Sequence, residues 1–435
     1  MTDGTTPGET RGPAGGAGAG AGDGGGPAAA PRGTGGRSGA TPPAAGGRAA
    51  QLAHTGLRSG WTTGACATAA ATAAYTALLT GDFPDPVTVT LPKGHTPAFA
   101  LAAQASGAGG DGLPWEPPRE GPGPAGPGAP WAMAGVVKDA GDDPDVTHGA
   151  LVRVTVRPLP PGSGVVFAAG PGVGTVTRPG LPLEVGEPAI NPVPRRLLRE
   201  HLAAVAARHG RTTPDVRVCV SVDHGEEIAR STWNGRLGIL GGLSVLGTTG
   251  VVVPYSCSAW IDSIRRGVDV ARAAGRTHVA ACTGSTSERV AVALHGLPED
   301  ALLDMGDFAG AVLKYLRRHP VPRLTVCGGF AKLSKLAAGH LDLHSGRSQV
   351  DKGFLADLAR RGGASTELAD RVAGANTGLA ALQLCTARDV PLGDLVAAAA
   401  RDEALRVLRG APVAVDVVCV DRAGTVVGRA GPRGA

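Results

Sequence analysis

The sequence predicts an α+β domain followed by an α/β domain with a largely parallel sheet, the two preceded by a disordered tail. Three observations predict this. Residues 1–50 contain no Val, Ile, Leu, Phe, Tyr or Trp and are dominated by Gly, Ala, Pro and Thr, so they cannot bury enough apolar surface to offset their ordering entropy. Between about residues 57 and 210, alternating apolar stretches outnumber helical ones. From about Arg211, short apolar strands alternate with helices, the rhythm of a buried parallel sheet. The predicted division is a tail over 1–54, an α+β domain over 55–210 with a flexible insertion at about 104–130, and an α/β domain over 211–435. A chain of 435 residues has room for such a plan.

Order is predicted to begin near Leu57. Gly60-Trp-Thr-Thr-Gly64 precedes an Ala-rich helix at about Ala65 to Leu79, with a threonine placed to cap it. Pro86 to Leu91 alternates and reads as a strand, followed by the turn Pro92-Lys93-Gly94. The Gly/Pro-rich stretch 104–130 reads as the insertion. Leu151 to Arg157 alternates again, and Val193-Pro-Arg-Arg leads into a helix ending at about His209. In the second half the strand candidates are Val216–Val222, His278–Cys282, Arg323–Cys327 and Val413–Val420. Helix candidates are Ser258–Ala274, Thr286–His295, Phe308–His319, Phe330–Ala338 and several after Asp351.

Composition excludes several classes. Hydrophobic residues at 43% and charged residues at 18% suit a globular protein. A formal charge of +5 with 3% aromatics gives no nucleic-acid footprint. The seven cysteines lack CxxC spacing, and several lie in apolar runs such as Val218-Cys-Val220, where a thiol acts as a small hydrophobe. A reducing cytoplasm is therefore expected. No run of eighteen apolar residues and no secretory signal pattern is present.

The densest polar constellation is Val136 to Gly149. Asp139, Asp142, Asp143 and Asp145 lie within seven residues, with Lys138 before them and His148 after. Such carboxylates need partners if buried; they can face solvent as turn caps, bind a cation, or take acid–base roles through shifted pKa values. The run Gly238 to Gly250 carries many glycines but matches neither a dinucleotide fingerprint nor a phosphate-binding loop. It suits close backbone approach to a ligand and a tight packing turn equally. Thr62 and Thr63 sit where a helix N-terminus favours a carboxylate, or where simple capping is needed. Gly186 to Arg196 is a rigid Pro-punctuated segment in which Arg195 or Arg196 could form a fork to a carboxylate. His340, Asp342 and His344 alternate without a closing metal ligand.

These segments resemble one family, the cobalt-precorrin-5B carbon-1 methyltransferases, or CbiD family. The matching pieces are Leu57 to Cys66, Val136 to Gly149, Gly170 to Leu181, Gly186 to Arg196, Arg236 to Gly250, and Lys335 to Gly339 with His344-Ser345, in the family's order. One departure is Tyr255 to Trp260, where many members carry an acidic residue after the serine. The resemblance implies an α+β first part similar to the ribosomal-S5 second-domain type and a three-layer α/β second part. It also implies methylation of carbon 1 of cobalt-precorrin-5B by S-adenosylmethionine, giving cobalt-precorrin-6A in the early-cobalt route of cobalamin biosynthesis. Cobalt is then carried by the substrate, and no protein metal site is required. On that basis Asp139, Asp142, Asp143, Asp145 and His148 are expected to serve the chemistry. Thr62, Thr63, Lys93, Lys138, Arg178, Glu187, Asn191, Arg195, Arg196, Arg236, His344 and Ser345 are expected to bind the polycarboxylate macrocycle. Gly241, Gly242, Gly247, Thr248, Thr249 and Gly250 are expected to bind the methyl donor. A non-catalytic corrinoid carrier is the alternative, and an unrelated α/β oxidoreductase is disfavoured by the lack of a dinucleotide fingerprint.

Overall fold

The computed structural model describes residues 56–109 and 128–432. The predicted tail and the middle of the predicted insertion lie outside them.

The first sheet has five strands, β1 (Ala103–Ala108), β2 (Pro130–Val137), β3 (Leu151–Pro158), β4 (Val165–Ala169) and β5 (Val216–Val222). Their order is β1-β2-β3-β5-β4, antiparallel throughout except for the β5–β4 pair. Alternation sets the faces: Val152, Val154 and Val156 are buried, while Arg153 and Thr155 point to the other side. Helix α1 (Thr63–Thr80) crosses the buried face over β2 and β3, with α2 (Pro192–Arg208) beside it.

Helix α1 packs closely because its buried positions are mostly alanine and threonine. The Thr68 and Thr72 hydroxyls donate to the carbonyls four residues back, at 2.8 and 2.7 Å, so burial leaves neither unsatisfied. Thr62 Oγ1 accepts from the Ala65 amide at 3.2 Å, and Gly81 ends the helix at φ +89°. The predicted cap is thus present, and the helix extends one or two residues beyond its predicted ends.

The second sheet is β6 (His278–Cys282), β7 (Leu302–Asp304), β8 (Arg323–Gly329), β9 (Ala414–Val420) and β10 (Val426–Ala430), in the order β7-β6-β8-β9-β10. The first four are parallel and β10 is an antiparallel edge. Val279, Ala281, Leu324, Val326, Val415 and Val417 face one large core with α3 (Ser258–Ala273), α5 (Ala309–Leu316), α6 (Phe330–Ala337) and the helices that follow. Ala280, Cys282, Cys327 and Val418 face a smaller core with α4 (Ser285–His295). The buried thiols on both sheets and in α1 are packing groups; burial pushes those of Cys66, Cys219 and Cys327 up to about 12.

The structure corrects three expectations. Strand Val216–Val222, expected in the parallel sheet, instead pairs with β3 and β4 of the first. Its residues are buried on both faces, so periodicity could not show which sheet held it. Residues 104–108 and 130 belong to paired strands rather than to a loop. The stretch Pro86–Leu91 forms only a two-residue ladder, Val87–Thr88 against Ala98–Phe99. Three further short ladders fold residues 239–252 back onto the first half: Gly60–Trp61 with Val251–Val252, Thr175–Val176 with Ile239–Leu240, and Gly172–Val173 with Gly242–Leu243.

Candidate functional site

The acidic loop is zipped to the segment that precedes α1. Ser59 and Gly141 form a bridge, and the Trp61 amide donates to the Asp139 carbonyl at 2.7 Å. A Cβ on Gly60 would overlap the Ala140 backbone, and one on Gly141 (φ +67°) would overlap Arg58. Glycine is therefore required on both sides of this contact. Arg58 grips the Asp139 carboxylate with both guanidinium nitrogens, and its amide donates to Asp142 Oδ2 at 2.6 Å. The Arg58 hydrogen bond and the Gly141 amide hold the Asp139 carboxyl below its ordinary range.

Lys138 is only 1% exposed, and its Nζ lies 2.5 Å from Asp145 Oδ2. Asp145 Oδ1 also accepts from the Thr147 amide and hydroxyl at 2.8 and 2.6 Å. Burial alone would raise the Asp145 carboxyl, but the Lys138 charge and these hydrogen bonds override it and hold it low. Asp143 reaches outward along the chain: its Oδ1 accepts from the Tyr255 amide at 2.7 Å. Tyr255 is left-handed at φ +54° and 67% exposed. Two residues later, Cys257 Sγ accepts from Arg347 at 3.5 Å, and Arg347 pairs with Asp342 at 2.6 Å. Residues 253–258 thus tie the acidic loop to the 342–348 loop that carries His344 and Ser345.

His148 is half exposed, and its Nδ1 accepts from the Ala140 amide at 3.1 Å. A neutral imidazole accepting at Nδ1 carries its proton on Nε2.

The remaining expected residues separate into two groups. Lys93, Arg196, His344 and Ser345 are exposed. Arg196 has only a 3.8 Å contact to Glu200. The other cations are already engaged. Arg195 donates to Glu187 at 3.0 Å and to the carbonyls of Pro188 and Ile190 at 2.9 and 2.7 Å, so it holds the 187–190 turn instead of forking outward. Arg236 is bidentate to Glu288 at 2.6 and 2.9 Å. Arg178 lies 3.6 Å from the buried Asp300. Lys138 is shut inside, contrary to its expected role toward an external carboxylate. Thr63 is buried, Thr62 caps α1, and Asn191 begins α2 with its amide on the Val245 carbonyl.

The glycine run is closed by packing. Cβ atoms on Gly242, Gly247 and Gly250 would strike Gly172, Thr62 and Leu91 respectively, while Gly241 alone faces open space. Thr249 Oγ1 bonds only within its own turn, to Val251. Thr248 lies in the same bend. Of the two readings the sequence left open, close packing accounts for these glycines. Among the described residues no group of three His, Cys, Asp or Glu side chains is placed to hold a metal ion.

Sequence reasoning missed Arg58, Tyr255 and Arg347. Arg58 has no partner near it in the sequence, because only the fold brings it across to Asp139 and Asp142. Tyr255 acts through its backbone, which leaves no residue-type signal.

The acidic loop, the segment before α1 and the end of the glycine run are thus joined by short ladders and bridges within a mixed α/β protein. Two family models match the chain: CbiD over residues 50–111 and 126–254, and the CbiD C-terminal domain over 342–431. The chain is 57% identical over 351 residues, 81% of its length, to proteins from Brucella canis and Brucella suis; the match covers 89% of each. Both are named cobalt-precorrin-5B C(1)-methyltransferase. The chain belongs to the CbiD family. A solved cobalamin biosynthesis protein, CbiD from Archaeoglobus fulgidus, matches at 26% identity with a TM-score of 0.34, over 67% of this chain and 83% of that one. No helix among the described residues is long and apolar enough to cross a membrane.

Proposed function

We infer that this chain methylates carbon 1 of cobalt-precorrin-5B, as its relatives are named for doing. The observation that carries this is 57% identity over 351 residues, with the family model matching residues 126–254, which include the acidic loop. S-adenosylmethionine supplies the methyl group from its sulfonium, and cobalt enters with the substrate.

Transfer from a sulfonium is an in-line displacement, so alignment contributes more than acid–base strength. That fits a site whose charged groups are held rigidly. The macrocycle carries acetate and propionate arms. On this reading the exposed Lys93 and Arg196, together with the His148 ring, receive them. Asp139 and Asp145 support the loop through Arg58 and Lys138. Asp143 has one oxygen fixed by the Tyr255 amide, and its Oδ2 accepts no hydrogen bond from the described residues. It is the carboxylate best placed to accept the ring proton released on alkylation. His344 and Ser345 lie across the 253–258 segment from it, where they would meet the far side of the macrocycle.

The test is anaerobic incubation of the purified protein with cobalt-precorrin-5B and isotopically labelled S-adenosylmethionine. Gain of one labelled methyl on the corrinoid is expected. A folded protein that binds the corrinoid but never methylates it would be a carrier, and the inference would fail.

A further inference from the structure

Gly242, Gly247 and Gly250 are closed by packing, but two glycines at the carboxyl end of the second sheet face open space. In the order β7-β6-β8-β9, strands β6 and β8 lie side by side, while the chain leaves β6 toward β7 on one flank and β8 toward β9 on the other. That is a topological switch point, where open parallel sheets form a ligand crevice outside their strand ends. Gly284 follows β6 and begins α4 at φ +153°, a conformation that favours glycine, and a Cβ there would meet nothing within 4 Å. Gly329 ends β8, begins α6 and is equally open. Between them Gly328 lies close against Thr283: its Cβ would come 2.6 Å from Thr283 Cγ2.

A second observation is independent of these turns. The unit β6–α4–β7 ends on Asp304, twenty residues beyond Gly284. In dinucleotide-binding βαβ units, an acidic residue about 20 positions beyond the glycine turn holds the ribose hydroxyls. Asp304 Oδ1 accepts from the Gly306 amide at 3.1 Å, and Oδ2 accepts no hydrogen bond from the described residues. The residue also lines a shallow surface cleft with Trp233, Arg236 and Glu299. Trp260, 43% exposed, donates its Nε1–H to the Asp304 carbonyl at 3.1 Å and sets an aromatic face beside the acid. The crevice also adjoins the proposed macrocycle face. The Leu343 amide donates to the Asp307 carbonyl at 2.8 Å, and the loop beyond it reaches Cys257 through Arg347.

We propose that this crevice, and not the glycine run 241–250, seats the adenosyl methyl donor, with Asp304 holding the ribose hydroxyls and the Thr283–Ser285 and Gly329 turns receiving the methionyl end. The proposal rests on the methyl-transfer reading, and its test separates the two.

S-adenosylhomocysteine is titrated calorimetrically into wild-type protein and Asp304→Asn, with its 2′-deoxy analogue and ADP run in parallel. Loss of hydrogen bonds to a charged group predicts affinity roughly 10- to 100-fold weaker in Asp304→Asn. The deoxy analogue is expected to lose affinity in wild type but nothing further in the variant. Photolabelling of wild-type protein with S-adenosylmethionine, which stands even if the variant fails to fold, is expected to mark peptides containing 283–288 or 304–308. Unchanged affinity in a folded Asp304→Asn, label on 241–250, or tighter binding of ADP would each overturn the proposal while wild-type methylation left the function intact. A wild-type protein that neither binds the donor nor methylates the corrinoid would defeat both.

Discussion

Replacing Lys138 with methionine removes one charge from the acidic loop while keeping nearly all of the buried volume. Lys138 is 1% exposed and its Nζ is 2.5 Å from Asp145 Oδ2. Deleting one partner of a buried ion pair costs about 3–5 kcal/mol, because the other charge is left uncompensated. Asp145 keeps both hydrogen bonds from Thr147 and its side chain is 25% exposed, so the low end applies: about 3 kcal/mol. Lys138→Met/Asp145→Asn removes the stranded charge and keeps the volume, and it is expected to recover about 2 kcal/mol of that loss. The assay is urea unfolding of the full chain, read at constant m. The pH dependence gives a second signature. The Asp145 carboxyl lies below its unfolded value, so its contribution is present above that value and is lost as pH falls through the folded one. In Lys138→Met the carboxyl rises, and the acid limb of the stability curve moves to higher pH. A single-variant loss under about 1 kcal/mol, or a double variant as unstable as the single, would refute this account of the loop.

Four further outcomes are expected. Asp143→Ala lowers methyl-transfer turnover while shifting the urea midpoint little; wild-type turnover would remove Asp143 from the chemistry. His148→Ala raises KM for the corrinoid roughly 10-fold with kcat nearly unchanged, as loss of a donor to one carboxylate arm predicts, and a fall in kcat alone would contradict the donor role. Gly141→Ala forces a Cβ into Arg58 at φ +67° and costs about 2–4 kcal/mol, measured by chemical denaturation; a neutral result would mean the loop is not zipped to residues 58–61. His278 stacks edge-on with His295 beside Thr325, and burial, then the nearby Arg323, lowers its pKa to about 4. A depressed value means that stability is full above 6.5 and declines as pH falls toward 4. His278→Gln should flatten the thermal midpoint over that window.

Much of the fold was legible because hydrophobic period and capping chemistry agreed. Helix α1 was readable from Thr62 and its alanine run, and β3 from its alternation. Strands His278–Cys282 and Val216–Val222 match to the residue, but the sheet that holds Val216–Val222 does not. A strand buried on both faces carries no pattern that names its neighbours. The site was legible as segments but not as partners. Lys138 and Arg195 looked like free cations because sequence shows charge and hides enclosure. Arg58 looked incidental because its carboxylates stand more than eighty residues away. The glycine run drew attention by count, while Gly284, a single glycine after a strand, acquires meaning only once the strand order is known.

Residues 253–258 act as a ruler. One end is fixed by the Val251–Val252 ladder and the Asp143 hydrogen bond, and the other enters α3 beside the Arg347 contact. The interval between the carboxylate loop and the carboxyl end of the parallel sheet is therefore set by a length of chain and not by an affinity. A reaction that joins two bound molecules tolerates errors of only about 1 Å. On the placement of macrocycle and donor proposed above, inserting one residue here would leave each half able to bind its own ligand while holding the two apart. Such an enzyme would saturate with both and turn over neither.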